Sequence, residues 1–216
     1  VRQLTLSFDN GPWPGATDEV LDILAERGLA ASFFVVGERL RDAAARRCAE
    51  RAQAAGHWIG NHTMTHGAPL GGRPEAAVAE AEIAATQALL GTLAHPDRLF
   101  RPNGRGAIGP HLLSPAAAAL LERDGYTIVT WNLVPRDWEA PERGWVERAR
   151  AGMAAQDWSL LVLHEHYLAP MMDTLPAFLD AMAAEGVRFV QEFPPDCVMM
   201  RRGRAAPELR AIVTAN

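Results

Sequence analysis

Leu4-Thr5-Leu6-Ser7-Phe8-Asp9-Asn10-Gly11-Pro12 opens the chain with an apolar, strand-like run that stops abruptly in polar and turn-forming residues. A helical pattern over Thr17–Arg27 follows, closed by Gly28, and then a second apolar run, Ala31–Val36. Strand, helix and strand in that order make a parallel pair, because two parallel strands need a long crossover between them. The motif recurs. Trp58–Gly60, Leu99–Arg101, Thr127–Trp131, Leu160–Leu163 and Arg188–Val190 read as further strands. Between them, Arg39–Ala54, Pro74–Leu93, Ser114–Asp124, Arg143–Ala155 and Leu175–Glu185 carry alanine-rich helical patterns. Gly28, Gly56, Gly125 and Gly186 each stand just past a helix, where a left-handed stop favours glycine. The expected class is α/β, with about seven parallel strands in a closed or nearly closed (β/α) barrel rather than an open doubly wound sheet. No repeat or linker divides the chain, so residues 1–216 are expected to form a single domain.

Composition narrows the chemistry. All 21 basic residues are arginine and none is lysine. Arginine keeps its proton in proteins, so lysine bases, Schiff bases and pyridoxal-phosphate attachment are excluded, as is the phosphate-loop lysine. The net charge of -5 gives no footprint for nucleic acid, and Arg201, Arg202 and Arg204 read as a solvated tail. No apolar run approaches membrane-spanning length. Cys48 and Cys197 are unclustered, which suits a reducing compartment. The chain enters its first strand with no leader in view, and a cytoplasmic location is the expectation.

In parallel α/β folds, ligands bind at the carboxyl ends of the strands. Those ends are polar here. The first carries Asp9-Asn10, the third Asn61-His62 with His66 close behind, and the fourth Arg101-Pro102-Asn103-Gly104. Asn132 and then Asp137-Trp138 follow the fifth, and His164-Glu165-His166 the sixth. His62 and His66 are four apart, so a helical turn would project both imidazoles from one face, a spacing that suits a Zn²⁺-type ion. Asp9-Asn10 offers a carboxylate and an amide oxygen, although Asn-Gly-Pro is also plain turn chemistry. Arg101 and Asp137 are compatible with an ordinary ion pair. His164 is the histidine best placed to act as a catalytic acid. His57, His95 and His111 lack such partners in the sequence and are expected at the surface.

The ordered series Ser7-Phe8-Asp9-Asn10-Gly11-Pro12, His62-Thr63-Met64-Thr65-His66, Arg101-Pro102-Asn103-Gly104, Asp137-Trp138 and Val162-Leu163-His164 resembles the polysaccharide deacetylases with a NodB-type homology domain. The resemblance implies a distorted (β/α) barrel and metal-dependent hydrolysis of an N-acetyl group, usually on an amino sugar. Asp9 then matches the general base acting on a metal-bound water, with Arg101 holding it. His164 matches the general acid, oriented by Asp137. Asn10, His62 and His66 fall on the ligand positions for a divalent metal, Zn²⁺ foremost, with Co²⁺ or Ni²⁺ as alternatives. Trp138 and Leu163 match the apolar wall of the acetyl pocket, and Gly104 the backbone donor to the oxyanion.

Three departures from the family pattern stand out. Asn10 replaces an aspartate ligand and removes its negative charge, which should weaken metal binding. Asn103 and Gly104 replace a proline and an aromatic residue, taking a wall from the sugar groove. Val134 replaces an aspartate upstream of Asp137. The expected substrate is accordingly an acetylated amino sugar or a small amide. The alternatives are a small-amide or cyclic-imide hydrolase of the same fold with a weak or absent metal site, and a non-catalytic carbohydrate-binding relative. Asp9, Arg101, Asp137 and His164 standing together argue against the last, since a binder needs neither acid nor base.

Overall fold

The computed structural model describes residues 1–215. All seven expected strands form: β1 (Gln3–Asp9), β2 (Ser32–Val35), β3 (Trp58–Asn61), β4 (Leu99–Phe100), β5 (Thr127–Val129), β6 (Trp158–Leu163) and β7 (Arg188–Val190). Each pairs in parallel, and β1 is central, with β6 along one edge and β2 and β7 sharing the other. From β2 the sheet runs through β3 and β4 to β5. A single parallel bridge, Leu133 to Leu161, then draws the segment after β5 toward β6 and curls the sheet into a distorted barrel. Two further strands, β8 (Val198–Arg201) and β9 (Arg204–Ala205), extend β5 as an antiparallel hairpin. The arginines expected in a solvated tail therefore sit on this hairpin, where Arg202 meets Asp97.

Strand periodicity sorts the residues. Leu4, Leu6 and Phe8 of β1 and Leu161 and Leu163 of β6 face the outer helices and form one apolar core with them. Thr5, Ser7 and Asp9 alternate with them and face the barrel interior, as Val162 does on β6.

Apart from a short unexpected helix directly after β6, the helices follow the expected patterns, with informative breaks. They are α1 (Ala16–Glu26), α2 (Ala43–Ala54), α3 (Ala76–Ala79), α4 (Ala85–Leu90), α5 (Pro115–Arg123), α6 (Trp145–Ala154), α7 (Glu165–Leu168) and α8 (Thr174–Ala184). The pattern over Arg39–Ala54 splits because Asp42 caps α2, its Oδ1 accepting from the Ala44 and Ala45 amides. Ser114 caps α5 in the same way, with Pro115 at the first helical position. Gly28, Gly56, Gly125 and Gly186 all take positive φ, as expected of helix stops. No described helix is long and apolar enough to cross a membrane.

The interruption between α3 and α4 bears on the site. Residues Glu80–Ala84 form a π-helical turn, a local widening that often marks functional segments. It places Glu82 inward. Its carboxylate accepts from the Met64 and Thr65 amides at 3.0 Å each and from Thr65 Oγ1 at 2.8 Å. Asn61 Nδ2 also donates to the Ile83 carbonyl at 2.9 Å. One turn of helix thus holds both sides of the loop that carries His62 and His66. Hydrogen bonds to a charged group contribute about 1.5–3 kcal/mol each. Glu82→Gln, which keeps the shape but loses one acceptor oxygen and the charge, should lower unfolding stability by about 1.5–3 kcal/mol in urea titrations. Amide exchange at Met64 and Thr65 should quicken in the variant, and unchanged protection there would reject the tethering role.

Candidate active site

Arg101 directly follows β4 and is fully buried, at 0% exposure, in the barrel interior. Its guanidinium donates through Nη1 to Asp9 Oδ1 and Ser7 Oγ, both at 2.8 Å, and through Nη2 to the Thr130 carbonyl at 3.1 Å. Nε reaches the Val129 carbonyl at 3.3 Å, and the cation lies 4.0 Å over the Phe34 ring. Arg101 is therefore partnered with Asp9, not with Asp137. The strand end expected to include Arg101 stops at Phe100 because the Arg101 carbonyl turns to accept from His62 Nδ1 at 2.8 Å.

That bond fixes the His62 tautomer: Nδ1 carries the proton and Nε2 presents a lone pair, 3.6 Å from Asp9 Oδ2. His62 and His66 do not lie on a helical turn. Their loop passes through the left-handed region at Thr63 (φ 67) and His66 (φ 51), and this brings the two rings to 5.0 Å between centroids. Asn10, also left-handed at φ 71, lines the same pocket with Oδ1 buried and without a partner.

Across the pocket, Asp137 holds His164 twice, accepting from its backbone amide through Oδ2 and from Nδ1 through Oδ1, both at 2.8 Å. His164 Nε2 is thereby left as the nitrogen available to a ligand.

Electrostatics separate the two ends. Burial alone would raise the Asp9 carboxyl, but the Arg101 charge, with His62 and His164, outweighs it and holds Asp9 below the ordinary carboxylate range. Burial alone would lower His164, but the hydrogen bond and charge of Asp137 reverse the sign and raise it. His62 and His66 are lowered chiefly by burial, His66 to about 4, so both imidazoles are neutral donors at neutral pH.

The pocket, about 230 Å³, is lined by Asp9, Asn10, His62, His66 and His164 on its polar side. Trp131, Val134, Trp138, Val162 and Tyr167 form much of the apolar side. Leu163 is not among them. It packs in the outer core with the helices, and Val162, one residue earlier, takes the wall position because alternate strand residues face opposite ways. Gly104 lines the pocket, and its amide donates to no acceptor among the described residues. A Cβ there would fall 2.5 Å from Leu112 and 2.6 Å from Trp131, so those side chains already fill the space beside it. Asn103 is buried, with Nδ2 on the Gly67 carbonyl and Oδ1 unpartnered.

Other residues correct the sequence reading. His57 is buried, accepting from the Ala31 amide at 3.0 Å, and Asn132 satisfies backbone groups of β6 rather than facing the pocket. Glu165 was not singled out from the sequence. Its fully buried carboxyl, raised to about 7 by desolvation, accepts from Thr17 Oγ1 and lies against Gly11, behind the Asp9-Asn10 turn. Glu82 likewise went unread, although an acid beside the buried stripe Ala79, Ile83, Thr86 and Leu90 is a signal in itself.

No three His, Cys, Asp or Glu side chains among the described residues are arranged to hold a metal ion. The donor chemistry nevertheless suits a divalent cation, with two neutral imidazoles and an orphaned amide oxygen on one pocket wall.

Known proteins share this chain's sequence pattern and fold. The polysaccharide deacetylase family profile matches residues 1–129. A chitooligosaccharide deacetylase of Rhizobium leguminosarum bv. trifolii is 32% identical over 164 residues, covering 76% of this chain and 72% of that protein. A peptidoglycan-N-acetylglucosamine deacetylase of Bacillus cereus is 29% identical over 196 residues, covering 87% and 84%. Among solved structures, a family 4 acetyl xylan esterase from Clostridium thermocellum with a cobalt ion superposes with a TM-score of 0.68 at 26% identity, over 88% of this chain and 87% of that one. With its barrel and the ordered strand-end residues, the chain belongs to the polysaccharide deacetylase family.

Proposed function

We propose that the protein is a metal-dependent hydrolase that removes the acetyl group from the nitrogen of an acetylated amino sugar. The observation that carries this reading is the pairing of Asp9 with Arg101 and of His164 with Asp137 around one pocket. It biases a carboxylate toward its ionised form and an imidazole toward its protonated form within one site, the two states amide hydrolysis needs at once.

His62, His66 and Asn10 are the residues that would hold the cation. Bound there, Zn²⁺ or a similar ion would supply Lewis acidity toward the acetyl carbonyl and toward water. The remaining work falls to the protein's own groups. Asp9 takes the proton from the attacking water, and Arg101 keeps its carboxylate ionised and correctly turned. The Gly104 amide donates to the carbonyl oxygen as negative charge develops on it. His164 passes its Nε2 proton to the departing nitrogen, which cannot leave as an anion. Trp138, Trp131 and Val162 enclose the acetyl methyl and exclude bulk water. Asn103 Oδ1 accepts a hydrogen bond from the sugar.

The direct test is acetate release from N-acetylated chitooligosaccharides. Chelation should abolish it and added Zn²⁺ or Co²⁺ should restore it, whereas chelator-resistant turnover would overturn the metal dependence. Asn10→Asp, which returns a negative charge to the ligand set, should tighten Zn²⁺ binding by about tenfold in calorimetry. Unchanged affinity would remove Asn10 from that set.

His164→Ala should lower kcat by about 10²–10⁴ with little change in KM. Because His164 must be protonated and its pKa is raised, activity should fall as pH climbs through that raised value. In Asp137→Asn the raising influence is gone and burial dominates, so the alkaline limb should move to lower pH. A limb that stays put would show that His164 is not the titrating acid.

A further inference from the structure

Four side-chain carboxyl groups are buried among the described residues, those of Asp9, Glu82, Asp137 and Glu165. Asp9 meets Arg101, Asp137 meets His164, and Glu82 accepts three hydrogen bonds from its loop. Glu165 is the exception. It is 1% exposed, and its side-chain partner is a hydroxyl, Thr17 Oγ1, at 3.1 Å. Its Oε2 is the only buried carboxylate oxygen among the described residues that has no partner. Around it stand Phe8, Phe33, Val35, Ala49 and Ile59. Burying a polar group without a full set of hydrogen bonds is destabilising, and here burial also pushes the carboxyl up to about 7. An apolar side chain would suit this enclosure better. A group kept against such a cost is expected where activity requires it.

Glu165 stands between the two halves of the site. It opens α7 directly after His164, whose carbonyl accepts from the Tyr167 and Leu168 amides at 3.1 Å each. One short turn therefore carries both residues. The Glu165 carboxyl lies against the turn that follows Asp9 and Asn10, where a Cβ on Gly11 would collide with Oε1. Thr17 extends the link. Its hydroxyl, which donates to Glu165, accepts from the Trp13 amide at 2.7 Å, and its own amide donates to the Trp13 carbonyl at 2.8 Å. On the other side the Gly11 carbonyl accepts from the Val36 amide at 3.0 Å. The turn is held between the end of β2 and the Glu165 carboxyl.

We propose that Glu165 is a positioning residue that sets the Asp9-Asn10 turn against His164, fixing the separation of base and acid through Gly11 and Thr17. The inference rests on the deacetylase reading and adds a residue that acts from behind the pocket, through its neighbours.

Two variants of the full chain test it. Glu165→Leu fills the apolar enclosure but offers no acceptor, whereas Glu165→Gln keeps one acceptor oxygen for Thr17. In Glu165→Leu the urea midpoint should stay equal or rise, because an orphaned oxygen is removed. The Trp13 amide should nevertheless exchange about tenfold faster. Acetate release from N-acetylated chitooligosaccharides should lose about 10- to 100-fold in kcat, with KM within about twofold. Glu165→Gln should bring kcat back to within about threefold of the unsubstituted chain and restore protection at Trp13. A lower midpoint with unchanged kcat would mark Glu165 as a plain core residue and overturn the proposal. Unchanged Trp13 exchange in Glu165→Leu, or a Gln variant no better than the Leu variant, would overturn it too. If the unsubstituted chain releases acetate and Glu165→Leu is equally active, this inference falls and the deacetylase reading stands. If the unsubstituted chain releases none, that reading falls, and Trp13 exchange set against the urea midpoint decides the positioning role by itself.

Discussion

The ion pair between Arg101 and Asp9 is the constraint around which the barrel is organised. Removing two charges from water costs several kcal/mol per ion, and their attraction recovers this only when the remaining donors are satisfied. Here they are, by Ser7, by the carbonyls of residues 129 and 130, and by the face of Phe34. These partners come from β1, from β2, and from the end of β5 and the turn beyond it. The guanidinium therefore requires β1, β2, β4 and β5 to approach one another correctly at their carboxyl ends. Such a pair contributes more to geometry than to net stability.

The second pair, His164 with Asp137, repeats the device with the opposite sign. In each case a fully buried partner overrules what desolvation would do to the chemical group. One side chain is thereby biased toward its anionic form and the other toward its cationic form beside the same pocket. The two pairs hang on different segments, so the base and the acid are tuned separately.

Most of the fold was legible because parallel strands buried on both faces read as continuous apolar runs, and their boundaries fall at polar residues. The hairpin of β8 and β9 was not, since Val198-Met199-Met200-Arg201 is short and shows no clear alternation. Within the site, residues bonded to near neighbours in the motifs were readable, whereas Glu82 acts across a π-turn that no local pattern announces. Leu163 shows a different limit. A motif locates a strand end but not which of two adjacent residues faces inward, and a shift of one position moves a side chain to the opposite face. His62 and His66 met as their spacing suggested, though through a left-handed loop and not a helix.

Gly104 carries a consequence for the shape of the pocket. Leu112 and Trp131 occupy the volume that a side chain at this position would need, and the Ala107 carbonyl closes it from the backbone side at 2.8 Å. An aromatic ring could not be introduced here by a single substitution, because at least two neighbours would have to shrink together. Intermediates with one change would carry either a clash or a cavity, each destabilising by about 1–5 kcal/mol. The position is locked by its neighbours, and the pocket is more easily reshaped at its other lining residues than at this one.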